Sequence, residues 1–140
     1  METFKTVDRR LQFYKSSTGA CLLDDGYNAN PASVLAAIKV LSRYPREKVL
    51  ILGDMLELGM QAEEYHRQVG LQAKDFGIDA LYCYGELTKH SYESFSGKGG
   101  YFSEQDALVS KIKPELNSET TVLVKGSLGM GMIEIIKQLI

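Results

Sequence analysis

The sequence predicts an α/β fold: a doubly wound, mostly parallel sheet entered through an antiparallel hairpin at its amino-terminal side. Three observations carry that expectation. From residue 20 onward, short apolar runs alternate with stretches of helical periodicity, the mark of a doubly wound sheet with right-handed crossovers. Two strand-like runs are joined by Ser16-Ser17-Thr18-Gly19, a turn signal. Polar, glycine-bearing loops follow three of the strands, at residues 24–30, 53–59 and 125–131, and in a parallel sheet all three gather on one edge.

Taken in order, residues 1–9 form a polar segment expected to be flexible, and residues 10–140 one domain. The hairpin pairs residues 11–15 with residues 20–24. Pro31 opens a helix reaching residue 44, with Val34, Leu35, Ile38 and Leu41 at helical spacing, Asn30 as its cap and Pro45 closing it. Residues 48–52 (K-V-L-I-L) are a short continuous apolar run, as a strand covered on both faces requires. A helix over 61–76 ends before Gly77, and a strand over 80–84 stops at Gly85. A helix over 87–95 leads to a turn at Ser96-Gly97-Lys98-Gly99-Gly100 and a minimal strand, Tyr101-Phe102. Ser103 is placed to cap a helix running to Ile112, with Asp106 near the capping-box position. A loop over 114–120, a strand over 121–124 and a closing helix over 132–139 complete the chain.

The totals narrow the function classes. A chain of 140 residues supports one domain with a real core. No apolar run approaches the roughly 20 residues that span a bilayer, and residues 1–8 lack a secretory pattern, so the expected location is cytoplasmic. Cys21 and Cys83 lie inside strand-like runs and read as buried thiols, without zinc spacing. A net charge of -2 with scattered Lys and Arg does not provide the basic patch of a nucleic-acid surface.

Several residue groups invite chemistry, each with a plain structural alternative beside it. Residues 22–33 crowd Asp24, Asp25, Tyr27, Asn28 and Asn30 between a strand and a helix, which suits either a ligand edge or a helix cap. Gly126, Gly129 and Gly131 follow a strand, but in the wrong order for a dinucleotide fingerprint and with no acid about 20 positions on. Lys125 and the backbone amides of that loop remain candidates for an anion. No G-x-x-x-x-G-K-[ST] occurs, so this chain by itself has no P-loop for nucleotide phosphates. Asp54 and Glu57 read as a surface loop with two acids rather than a metal pair, and His66 and His90 as solvated or capping residues.

The segments D-D-G-Y-N-A-N-P-A-S, V-L-I-L-G-D-M-L-E-L-G and V-L-V-K-G-S, in this order and spacing, resemble the carboxyl-terminal domain of the Mur ligase family. Within it they are most similar to the branch that joins D-alanyl-D-alanine to UDP-N-acetylmuramoyl-tripeptide. The resemblance implies a Rossmann-like sheet of about six strands, mostly parallel with one antiparallel. It implies one third of a peptidoglycan ligase, inactive alone, whose central ATPase and UDP-sugar domains lie outside this chain. ATP and Mg2+ would be held mainly by that central domain, and the chain's partners would be those two domains, the dipeptide and the UDP-sugar tripeptide. The implied reaction phosphorylates the tripeptide carboxylate, and the dipeptide amine then attacks the acyl phosphate.

Carried onto these positions, the resemblance implies that Arg10, or its neighbour Arg9, reaches the γ-phosphate and that Asp25 hydrogen-bonds the ATP ribose. It places Tyr27, Asn28 and Asn30 along the nucleotide and substrate cleft, turns Lys125 and Ser127 toward the dipeptide, and leaves Asp54 adjacent to the site. Leu128 stands where the family tends to have arginine after K-G-S. Two competing readings are a freestanding small-molecule binding module and a domain of a folylpolyglutamate synthase type of ligase; the Y-N-A-N-P run speaks against the second.

Overall fold

The structure, a computed structural model, describes residues 11–25, 29–45 and 47–140. Six strands form one sheet in the order β1-β2-β6-β3-β4-β5: β1 (Gln12–Lys15), β2 (Cys21–Asp24), β3 (Lys48–Gly53), β4 (Ala80–Tyr84), β5 (Gly99–Phe102) and β6 (Thr121–Lys125). β1 runs antiparallel to β2, with Gln12 opposite Asp24 and Lys15 opposite Cys21, and every other neighbour is parallel. Among the described residues five α-helices accompany the sheet: α1 (Pro31–Ser42), α2 (Ala62–Asp75), α3 (Thr88–Phe95), α4 (Gln105–Ile112) and α5 (Ile133–Leu139). The expected α/β architecture with its amino-terminal hairpin is what the chain adopts.

Side chains that alternate along each strand divide the core into two layers. Leu23, Leu50, Leu52, Leu81, Cys83 and Leu123 face α1, α2 and α3, where Val34, Ile38, Leu41, Val69, Ala73 and Phe95 are buried. Leu22, Val49, Ile51, Tyr82, Val122 and Val124 face α4 and α5, where Leu108, Ile112, Ile135, Ile136 and Leu139 close the other side. Burial on both faces explains why β3, β4 and β6 read as unbroken apolar runs.

This layering sets where a ligand edge can form. The helix after β6 lies on one face, while the helices after its neighbours β2 and β3 lie on the other. β6 is therefore flanked on both sides by a switch in winding direction, and the crevices beside its carboxyl end are where open α/β sheets bind ligands.

Three local expectations are corrected. Gly99 and Gly100 belong to β5 rather than to a turn, paired with Leu81 and Tyr82. Gly99 has φ +141°, and a Cβ there would come within 1.7 Å of the Leu81 carbonyl oxygen, so glycine is what lets the two strands approach. Ser103 does not cap α4: the helix starts one residue later, with Glu104 as N-cap and no side-chain cap bond. The segment after α4 begins with a short 3-10 turn at Lys113–Glu115. The expected flexible residues 1–9 lie outside the described residues.

Candidate functional site

The carboxyl ends of β2, β6 and β3 each deliver a polar residue to the same edge. Asp25 extends β2 by one step, its N–H donating to the Val124 carbonyl at 3.0 Å. Lys125 is the last residue of β6, and its Nζ lies 3.4 Å from Asp25 Oδ2. The lysine side chain is only 3% exposed and the aspartate 18%. A buried ammonium is tolerated because a carboxylate stands against it, and the pair leaves a fixed cation and a partly open acid at one corner of the edge. Beneath Asp25 is a small cleft of about 90 Å³, lined by Leu11, Ala36, Ala37, Val40 and Leu123. That is well short of the roughly 300 Å³ or more of a complete small-molecule pocket, so on this side the chain offers part of a binding surface.

The helix that leaves this corner is firmly started. Asn30 Oδ1 accepts the Ser33 N–H at 2.8 Å, Ser33 Oγ accepts the Asn30 N–H at 3.0 Å, and Pro31 occupies the first turn. The cap expected of Asn30 is present, and its side-chain oxygen is engaged there.

At the other side of β6 the polar groups close on one another. Asp54, straight after β3, is 6% exposed rather than on the surface. Its carboxylate accepts three backbone N–H bonds at 3.0 Å each, Oδ2 from Glu86 and Oδ1 from Leu87 and Thr88. These are the amides at the start of α3, which has no side-chain cap of its own, so Asp54 caps that helix from a neighbouring strand. Gly85 makes the approach possible, since a Cβ there would meet the Asp54 carboxylate at 2.4 Å.

Ser127 completes this corner. Its Oγ accepts the Leu56 N–H at 2.8 Å and its own N–H donates to the Asp54 carbonyl at 3.1 Å, locking the K-G-S turn to the loop after β3. The Met130 and Gly131 amides donate to the Ser127 and Leu128 carbonyls. Three amides of the glycine loop, those of Ser127, Met130 and Gly131, are thus occupied inside the protein and are not available to an anion.

Sequence reasoning missed His66. It is fully buried, not solvated: Nε2 accepts the Met55 N–H at 2.9 Å, and Nδ1 lies 2.7 Å from the Ala62 carbonyl, to which it donates in the tautomer those partners require. Burial, the largest influence, holds its pKa below the ordinary imidazole value against the raising effects of the Ala62 carbonyl and Asp54, with His90 adding to the lowering. The signal was available: His66, Val69, Gly70 and Ala73 form the buried stripe of α2 at helical spacing. His90 sits 3.7 Å from Glu63 at the surface. Glu57 is exposed, and among the described residues no three His, Cys, Asp or Glu side chains converge to hold a metal. Arg9, Arg10, Tyr27 and Asn28 lie outside the described residues. No helix among those described is long and apolar enough to cross a membrane.

Comparison with known proteins agrees with this architecture. The family model described as "Mur ligase, glutamate ligase domain" matches residues 9–128. The UDP-N-acetylmuramoyl-tripeptide--D-alanyl-D-alanine ligase of Escherichia coli K12 is 38% identical over 141 residues, covering 99% of this chain and 31% of that protein. The ligase of the same name from Bacillus subtilis 168 is 33% identical, covering 97% of this chain and 31% of its own length. Among solved structures, MurF from Acinetobacter baumannii superposes with a TM-score of 0.78 at 27% identity, over 93% of this chain and 29% of that one. MurF ligase from Thermotoga maritima, solved with ADP, shares the fold with a TM-score of 0.79 at 23% identity, over 93% of this chain and 30% of that one. The chain spans about 31% of the length of these curated relatives. With a family model matched across most of its residues, this chain belongs to the Mur ligase family, in its glutamate ligase domain.

Proposed function

We propose that this chain, from residue 10 onward, works as the carboxyl-terminal domain of an ATP-dependent ligase that adds D-alanyl-D-alanine to UDP-N-acetylmuramoyl-tripeptide in cytoplasmic peptidoglycan precursor synthesis. The observation that carries the reading is the Asp25–Lys125 corner, a paired buried cation and a partly open acid at the switch point beside β6, above a cleft too small to hold a nucleotide alone. The names of relatives above 30% identity support the substrate assignment. Such a half-cleft acquires a complete ligand only when a central ATPase domain and a UDP-sugar domain supply the other wall.

In this reading ATP and Mg2+ are held mainly by the central domain, and ATP supplies the phosphoryl group that activates the tripeptide carboxylate. Arg10 offsets charge on the γ-phosphate, and Asp25 accepts hydrogen bonds from the ribose, with Tyr27 and Asn28 beside it. Lys125 fixes a positive charge near the reacting carboxylate and the incoming dipeptide. Ser127 accepts a bond from Leu56 and retains a hydroxyl proton to donate. Asn30 and Asp54, whose oxygens are taken by backbone amides, shape the edge by starting α1 and α3. The dipeptide amine then forms the new C–N bond as the C–O bond to phosphate breaks and phosphate leaves.

The test is phosphate release by the full-length product of the gene that carries this chain. Release that requires ATP, UDP-N-acetylmuramoyl-tripeptide and D-alanyl-D-alanine together is the expected result; release with glutamate in place of the dipeptide would favour the folylpolyglutamate type instead. Titration calorimetry of ATP into the 140-residue chain should show little or no heat of binding. Micromolar affinity would contradict the assignment of the phosphates to another domain and favour a freestanding binding module.

A further inference from the structure

A single peptide group connects the buried histidine to the K-G-S turn. The peptide unit between Asp54 and Met55 donates its N–H to His66 Nε2 at 2.9 Å and accepts the Ser127 N–H on its carbonyl oxygen at 3.1 Å. The next amide, Leu56, donates to Ser127 Oγ at 2.8 Å. A trans peptide is planar and its two polar ends point in opposite directions, so the orientation that satisfies His66 is the one that presents the carbonyl to Ser127. The histidine is itself held by the Ala62 carbonyl at 2.7 Å through its other nitrogen. The hydrogen-bonded line therefore runs from α2, through the loop after β3, to the loop after β6.

We infer that His66 is a positioning residue for the turn at Lys125, Gly126 and Ser127, acting through the Asp54–Met55 peptide group, and that this function needs a ring nitrogen able to accept. Neutral His66 with its proton on Nδ1 meets that need; protonation at Nε2 sets a donor against the Met55 N–H and frees the peptide group to turn. The charged and titratable groups facing the ring are Asp54 from the end of β3, whose carboxylate caps α3, and His90 from α3, which lies against Glu63. Burial holds the ring neutral under ordinary conditions. The catalytic meaning of the turn rests on the ligase reading, but the coupling itself does not.

The experiment is amide hydrogen exchange by NMR on the 140-residue chain, with no nucleotide or peptide added, so its outcome and that of the ligase assay are independent. In the wild type, taking the pH from about 7.5 to below the titration of the His66 ring, followed in the same spectra, should lower the protection of Met55, Leu56 and Ser127, corrected for intrinsic exchange, by about tenfold, while Leu50 in β3 keeps its protection. The midpoint should coincide with the titration of the His66 ring. His66→Gln, which retains an accepting oxygen, should keep Ser127 protected at both pH values, and His66→Leu should lose that protection at both. Ser127 protection that ignores the ring's titration, or that survives in a folded His66→Leu variant, overturns the inference. Should His66→Leu fail to fold, the wild-type titration and the Gln variant decide the matter.

Discussion

Two corners flank the end of β6, and each is built on an aspartate one step past a strand, yet they solve opposite problems. Asp54 is enclosed, with three N–H groups of α3 on its oxygens and the adjoining peptide group held between His66 and Ser127. Asp25 stands against the ammonium of Lys125 and keeps part of its side chain in solvent. A buried carboxylate that holds three backbone amides is committed to the fold, whereas one that neutralises a buried cation at a cleft mouth can exchange or share that partner. The same residue type at equivalent strand ends is framework on one side of β6 and, in the proposed function, working surface on the other.

The largest effect should come from breaking the framework corner. Asp54→Ala orphans three amides at the start of α3 at a buried position, which should cost about 3 kcal/mol or more in urea denaturation. Asp54→Asn, keeping one accepting oxygen, should cost less. A cost under about 1 kcal/mol for the alanine variant would show that water replaces the carboxylate and that the corner is not closed.

Next in size is the open corner. Asp25→Asn removes the charge opposite a lysine that is 3% exposed and should destabilise the fold by about 2 kcal/mol, with Lys125→Met in the same chain recovering part of the loss. Additive losses in that double-mutant cycle would mean the two side chains do not depend on each other.

A smaller effect is set by pH. The His66 pKa is lowered in the folded state, so the unfolded chain binds the proton more readily and stability rises with pH in that range. The contribution is complete above the unfolded value near 6.5 and is lost as pH falls from there toward the folded value, by no more than about 1.4 kcal/mol per pH unit. His66→Gln should flatten this part of the stability profile; an unchanged slope would assign it to other groups. Smallest of all, Leu128→Arg, at a side chain 73% exposed beside the K-G-S turn, should alter stability by less than about 0.5 kcal/mol.

What could be read from the sequence follows from how local each signal is. The turn at residues 16–19, the Asn30 and Pro31 helix start and the alternation of apolar runs all depend on near neighbours, and each appears in the fold as expected. Gly99 looked like turn punctuation because its reason, the Leu81 carbonyl, lies on another strand. Ser103 had the right chemistry for a cap, but the chain enters α4 one residue beyond it. The partners of Asp54 come from residues 86–88, and those of Ser127 from residues 54 and 56, contacts that no spacing in the sequence announces. An isolated histidine on a helix face reads as solvated, and yet the buried stripe of α2 runs through His66.

The contrast between the corners is tested most directly by the Michaelis constant for ATP in the full-length enzyme carrying Asp25→Asn, measured at a temperature where the variant remains folded. The account predicts a rise of about tenfold or more, the loss of a charge-assisted bond, with a much smaller change for Leu128→Arg. An unchanged Michaelis constant in a folded Asp25→Asn enzyme would contradict it and make the Asp25–Lys125 pair framework as well.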